Sequence, residues 1–180
     1  MNKSQRLVWT GVAGAFTLAV LVAAVVLSVT VFSTGEAKED ELSPLRREIN
    51  RYQNPQKAEN DGWVLVSGLD HCFDNPGTGG MGFHYINPNL LDTTLNETTP
   101  EALVYAPRGN TKLELAAVEF IVPAEPWDAD HSVSPRIHGH DLHLNQNLGV
   151  YVLHIWLFED NPAGMFEDWN PDVSCPSPSP

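Results

Sequence analysis

The chain has 180 residues, 42% of them hydrophobic, so it can build the core of one ordinary domain and is not a disordered protein. Its formal net charge of −13 argues against nucleic acid and anionic lipid surfaces as partners. Only 18% of residues are charged, so the acidity reads as solubility rather than halophily.

Residues 7–32 carry no charge, and they lie between Lys3 and Arg6 on one side and Glu36, Glu39, Asp40 and Glu41 on the other. Such a run can cross a hydrocarbon core of about 30 Å, which takes about 20 apolar residues. It is longer than the roughly 7–15 residues of a signal-peptide core, although 33–37 would permit processing. Residues 1–33 are therefore read as a transmembrane anchor or a signal segment. In either case the basic end stays inside and the rest is exported, with a net charge of −15 once Lys3 and Arg6 are set aside.

Residues 34–43 read as a polar linker. Ser43 and Pro44 suit an N-cap and first turn, and Leu45, Ile49 and Tyr52 follow at helical spacing, which predicts a helix over 44–53. Residues 63–67 are a short β-prone run. The glycine-rich stretch 75–82 reads as a loop. Gly77, Gly79 and Gly82 satisfy G-x-G-x-x-G, but an alternating strand pattern follows instead of a helix, so a dinucleotide site is rejected.

Strands are expected at 81–87, 102–106, 112–122 and 149–158, with a hairpin through 107–110. Residues 123–148 read as a long irregular segment that serves as a covering flap or a functional loop. The tail 161–171 is expected to pack Met165, Phe166 and Trp169 on the sheet, and 177–180 to be disordered. The class that follows is α+β: a mainly antiparallel sheet of four to five strands with an N-terminal helix, in an exported domain over 44–176. Cys72 and Cys175 are expected to form a disulfide in an oxidising compartment, the rival being a thiolate ligand or nucleophile. Asn96-Glu97-Thr98 matches a glycosylation acceptor, which carries no weight without knowledge of the host.

The chemical lead is a set of polar intrusions into three strands. His84 sits in the run 81–87, Glu119 in 113–122 and His154 in 150–158. On strand parity Glu119 shares a face with Leu113, Leu115, Ala117 and Ile121, and His154 with Val150, Val152, Trp156 and Phe158. A lone buried carboxylate must take a proton or find a cationic or metal partner. Two imidazoles and one carboxylate form a set that binds Zn, Fe or Mn while leaving positions open. The bland alternative is a His–Glu hydrogen bond that holds a sheet together.

A second cluster, His138, His140 and His143, has alternate histidines that would chelate copper or zinc on an extended chain, or would be a solvated flap; His71 and His131 could add ligands. Its H-x-H is similar to the cupin pattern, but the accompanying glutamate and glycines are missing. Tyr85, Tyr105, Trp156 and Trp169 read as core, or as pocket walls beside the triple. No G-x-S-x-G or P-loop lysine is present, so covalent hydrolase and kinase readings have no support.

Several short motifs in one order, Met81-Gly-x-His84-Tyr85-x-Asn87-Pro88, Val118-Glu119-Phe120-x-Val122-Pro123, His154-x-Trp156-Leu157 and Asn161-Pro-Ala-Gly-Met-Phe166 with Asp168-Trp-Asn-Pro171 and Cys175, resemble a family of exported bacterial proteins without an assigned activity. The resemblance covers about 44–176 and implies a single exported domain, with no mechanism. The histidines at 138, 140 and 143 depart from it. Three functions stay open: a membrane-anchored metal-binding or metal-handling domain, a metal-dependent enzyme acting on a small substrate, and an interaction protein with structural His–Glu pairs and an unknown protein partner.

Overall fold

The computed structural model describes residues 36–109 and 112–176. The chain divides into two units, Met1–Asp40 and Glu41–Pro180, and the second holds the sheet and the site. The anchor or signal segment 1–33 and the tail 177–180 lie outside the described residues, among which no helix is long and apolar enough to cross a membrane.

Helix α1 spans Glu36–Ile49 and runs through a 3-10 turn, Asn50–Tyr52, toward α2, Pro55–Asn60. The helix expected at 44–53 thus begins earlier, with Pro44 inside it rather than in its first turn. Leu42, Leu45 and Ile49 form one buried stripe, so part of the expected linker 34–43 already belongs to the fold. Asn54 caps α2 by accepting the Gln56 N–H at 3.0 Å.

Among the described residues the strands are β1 Val64–Leu65, β2 Phe73–Asn75, β3 Gly79–Ile86, β4 Ala102–Arg108, β5 Lys112–Pro123, β6 Arg136–Ile137, β7 His140–Asp141, β8 His143–Asn145 and β9 Val150–Trp156. Seven of them form one sheet in the order β1-β3-β4-β5-β9-β8, with β2 alongside β3, and β6 and β7 form a separate ribbon. All pairings are antiparallel. The four strands foreseen are the long central ones, β3, β4, β5 and β9. The sheet exceeds four to five strands because β1, β2 and β8 are too short to show an alternating pattern. The segment 123–148 is not irregular throughout: it contains helix α3, Ala124–Asp130, the β6–β7 hairpin and β8.

The two faces of the sheet differ. On one, Tyr85, Leu103, Tyr105, Val118, Phe120, Leu153 and Ile155 pack against Leu42, Leu45, Ile49 and Tyr52, forming the main core. The Tyr105 hydroxyl donates to the Tyr52 carbonyl at 2.7 Å. On the other face, Val104, Ala106, Ala117, Trp156 and Val173 form one apolar group and Ile86, Ala102, Ile121 and Val152 another. A bulge in the β4–β5 pairing, where Tyr105 faces Leu115 but Val104 faces Ala117, adds one residue to β5. It reverses parity, so Leu115 packs in the main core, with Leu113 against it, on the face away from Glu119.

The second face is covered by the C-terminal tail, which Cys72–Cys175 ties to the segment before β2. Met165 and Phe166 pack against the main core instead, so the tail wraps the sheet. Gly79 and Asn170 face each other so closely that a Cβ on Gly79 would lie 2.2 Å from the Asn170 carbonyl oxygen, at a φ of +137°. The glycines read as a loop are thus partly strand: the tail lies on Gly79 and Gly80, while at Gly82 a Cβ would lie 2.5 Å from the Tyr105 carbonyl oxygen of β4. Gly79→Ala should cost about 1–3 kcal/mol or more in chemical denaturation; an unchanged midpoint would mean that the tail is not packed there.

Candidate metal centre

Register brings the three intrusions to one face. Glu119 on β5 pairs directly with His154 on β9. On its other side Glu119 faces Ala102 of β4, which faces Ile86, while His84 on β3 faces Val104. The methyl group of Ala102 leaves space over β4, and His84 and Glu119 meet across it. His84 Nε2 lies 3.6 Å from Glu119 Oε2, and His154 Nδ1 lies 3.7 Å from Glu119 Oε1. The two imidazole rings stand at 90° with centroids 5.3 Å apart, and Phe73 sits edge-on to His84.

These separations are too long for hydrogen bonds. Both ring nitrogens of His154 and Nδ1 of His84 are buried without a hydrogen-bond partner, although the Gly82 carbonyl is close enough to favour the protonated His84 ring. All three residues are buried, and His154 is 0% exposed. Burial pushes the Glu119 carboxyl up to about 8, with Asp168 and Glu101 adding to the rise. Burial takes His84 down to about 4, helped by His71, and takes His154 well below the ordinary imidazole value, helped by His84 and His143. Burial thus works against charge on each of the three groups, moving the carboxyl up and both imidazoles down.

A tetrahedral ion with bonds of about 2.1 Å holds its ligands about 3.4 Å apart; the His–Glu contacts of 3.6 and 3.7 Å, made to different oxygens of the carboxylate, are close to that, and one donor atom from each of the three residues falls within 4.8 Å of the others, so the group can hold a metal ion. A cavity of about 310 Å³ opens onto the site, with His84 and Glu119 in its wall. Since His154 lies behind them, positions left free on an ion would face the cavity.

The second histidine cluster does not converge. His138 and Gly139 form the two-residue turn between β6 and β7, both with positive φ, so H-x-H is not extended and its side chains do not run parallel. His138 Nε2 contacts the Glu97 carbonyl oxygen at 2.9 Å, and His140 stacks on Phe166. His131 stacks on Trp127, and His71 lies tilted against Phe73. His143 is the exception: its Nε2 lies 3.1 Å from Asp168 Oδ2, at the edge of the site. Of the four aromatic residues, Tyr85 and Tyr105 belong to the main core, Trp156 stacks on His154, and Trp169 lines the cavity.

Sequence reading missed Asp168 and Glu101. Asp168 lines the cavity, and its Oδ1 is buried without a partner. Burial raises its pKa, and Glu167 adds to the rise while His143 opposes it. It lies in an irregular tail where periodicity gives no side-chain direction; its sequence cue is its place beside Trp169 in Asp168-Trp-Asn-Pro171. Glu101 is 2% exposed, and its carboxylate accepts the Ile121 N–H at 2.8 Å, fixing β5 next to Glu119. Its position just before an apolar strand resembles an ordinary strand-end polar residue. Comparison of the chain with protein-family models, curated proteins and solved structures finds no match.

Proposed function

We propose that residues 44–176 act as an extracytoplasmic domain, tethered to the cell membrane by residues 7–32 or released by cleavage, that binds a divalent transition-metal ion through His84, Glu119 and His154. The carrying observation is that both ring nitrogens of the fully buried His154 lack a hydrogen bond beside a buried carboxyl. A His–Glu pair that only held the sheet together would be hydrogen-bonded, because an unsatisfied buried polar group is costly. The donor set suits Zn, Fe, Mn or Cu. The disulfide and the acidity support export, as does the motif likeness to exported bacterial proteins. The cavity over two of the ligands favours a catalytic use of the same ion, with a bound water on the cavity side.

Elemental analysis of the purified full-length protein tests this. About one equivalent of metal is expected, and almost none in a His84→Ala/His154→Ala variant that keeps its circular dichroism. Equal metal content in the two proteins would remove this site and leave the His–Glu group as packing.

A further inference from the structure

Two carboxylates, those of Glu119 and Asp168, line the cavity, and among the described residues no Lys or Arg does. Glu119 belongs to the proposed centre, whereas Asp168 has no role in it so far. We infer that Asp168 is a positioning residue of that centre: its free oxygen accepts a hydrogen bond from a water on the ion's cavity side, and its charge balances the charge that the ion retains. This rests on the metal reading of His84, Glu119 and His154.

The two ends of the carboxylate have different surroundings. Asp168 Oδ2 lies 3.1 Å from His143 Nε2, which fixes the orientation of the group, whereas Oδ1 is buried without a partner. A neutral His143 and a protonated one can both donate that hydrogen bond, so the arrangement does not depend on the charge of the ring. An orphaned buried acceptor is costly, and what Oδ1 lacks is a donor on the cavity side. Asn145 and Asn147 also line the cavity, but neither donates to it. Asp168 is close enough to Glu119 to add to the rise of its pKa, so the two carboxylates share one electrostatic environment.

Charge points the same way. A divalent ion with Glu119 as its one anionic ligand retains a positive charge, and burial makes uncompensated charge costly. A second carboxylate facing the same cavity offsets it from outside the ligand set, as the groups around bound metals commonly do. With the charge balanced, the apolar walls, among them Phe73, Ile121, Val152 and Trp169, suit a neutral guest on the ion better than an anion.

The test uses the full-length protein loaded with cobalt(II), whose visible absorption reports its coordination. Azide and imidazole, a small anion and a small neutral donor, are titrated in separate arms. Asp168→Asn and Asp168→Ser remove the charge, and Asp168→Glu keeps it. Azide should bind at least about tenfold more tightly to the Asn and Ser proteins than to the wild type or the Glu protein, as loss of a unit charge several ångströms from the ion predicts. Imidazole affinity should stay unchanged across the series. The same outcome is expected in a His143→Gln background, which removes any charge on that ring. Equal azide affinity with and without the carboxylate, or a gain for imidazole as large as that for azide, overturns the role of Asp168 and leaves the metal site standing. Failure of the wild type to take up cobalt overturns the metal reading itself, and this inference with it.

Discussion

Replacing Glu119 by leucine should stabilise the metal-free protein by about 1–3 kcal/mol, the usual cost of desolvating a buried polar group, while abolishing metal binding. The carboxyl sits 3.6 and 3.7 Å from its histidine neighbours, so its removal loses no hydrogen bond. With saturating metal the order reverses, because an ion at about a thousand times its dissociation constant adds about 4.1 kcal/mol to the wild type only. The pH profile sharpens the test. Burial raises the Glu119 carboxyl to about 8 in the folded protein, against 4.5 for an unperturbed glutamate. Above 4.5 the folded state thus keeps a proton that the unfolded chain releases. Wild-type stability falls as pH rises through about 8, by up to about 1.4 kcal/mol per pH unit. His84 runs the other way: it titrates at about 4 against 6.5, so its contribution is intact above 6.5 and is lost as pH falls toward 4. Of the three ligands, only the carboxyl titrates between about 6.5 and 8, and this limb should vanish in Glu119→Leu. Urea unfolding in chelator at both ends of that window measures it. A variant several kcal/mol less stable than wild type would make Glu119 a structural partner and remove the reason to posit an ion.

The central strands were legible because β3, β4, β5 and β9 are long enough to show their apolar pattern, and His84, Glu119 and His154 were legible as violations of it. Their convergence was not. It depends on the Glu119–His154 register and on Ala102 lying between His84 and Glu119, which are pairings across long sequence distances. Parity failed for Leu113 and Leu115 because a bulge adds one residue to β5, and no single-strand pattern reveals a bulge whose partner is unknown. Of the two readings of the His138–His140 pair, the chelating one fails because a positive-φ turn at His138 breaks the extended geometry on which it relied. Asp168 was invisible for a different reason: it is delivered by a tail without periodic structure, held by Asn170 against Gly80 and by the disulfide.

That disulfide carries the second large effect. Cys72 and Cys175 are 103 residues apart, and for such a loop the chain-entropy model gives about 4–5 kcal/mol of stabilisation. Against a total of about 5–15 kcal/mol for an ordinary domain, a Cys72→Ala/Cys175→Ala protein should lose a third or more of its stability. Entropy of the unfolded chain is half of the argument. The bridge also joins the two sides of the cavity, Leu69 and Phe73 flanking Cys72 in one segment and Asp168 and Trp169 before Cys175 in the other. Cys175 Sγ lies 3.2 Å from the Phe73 carbonyl oxygen, and Phe73 packs edge-on against His84. An effect confined to the unfolded state would leave metal affinity in the folded protein untouched. Loosening the wall should instead weaken it about tenfold, as loss of outer groups around a metal typically does. Denaturation and metal titration on the same double variant separate the two contributions. A lower midpoint with unchanged affinity would confine the bridge to the unfolded chain, and a loss of both would make it part of the site.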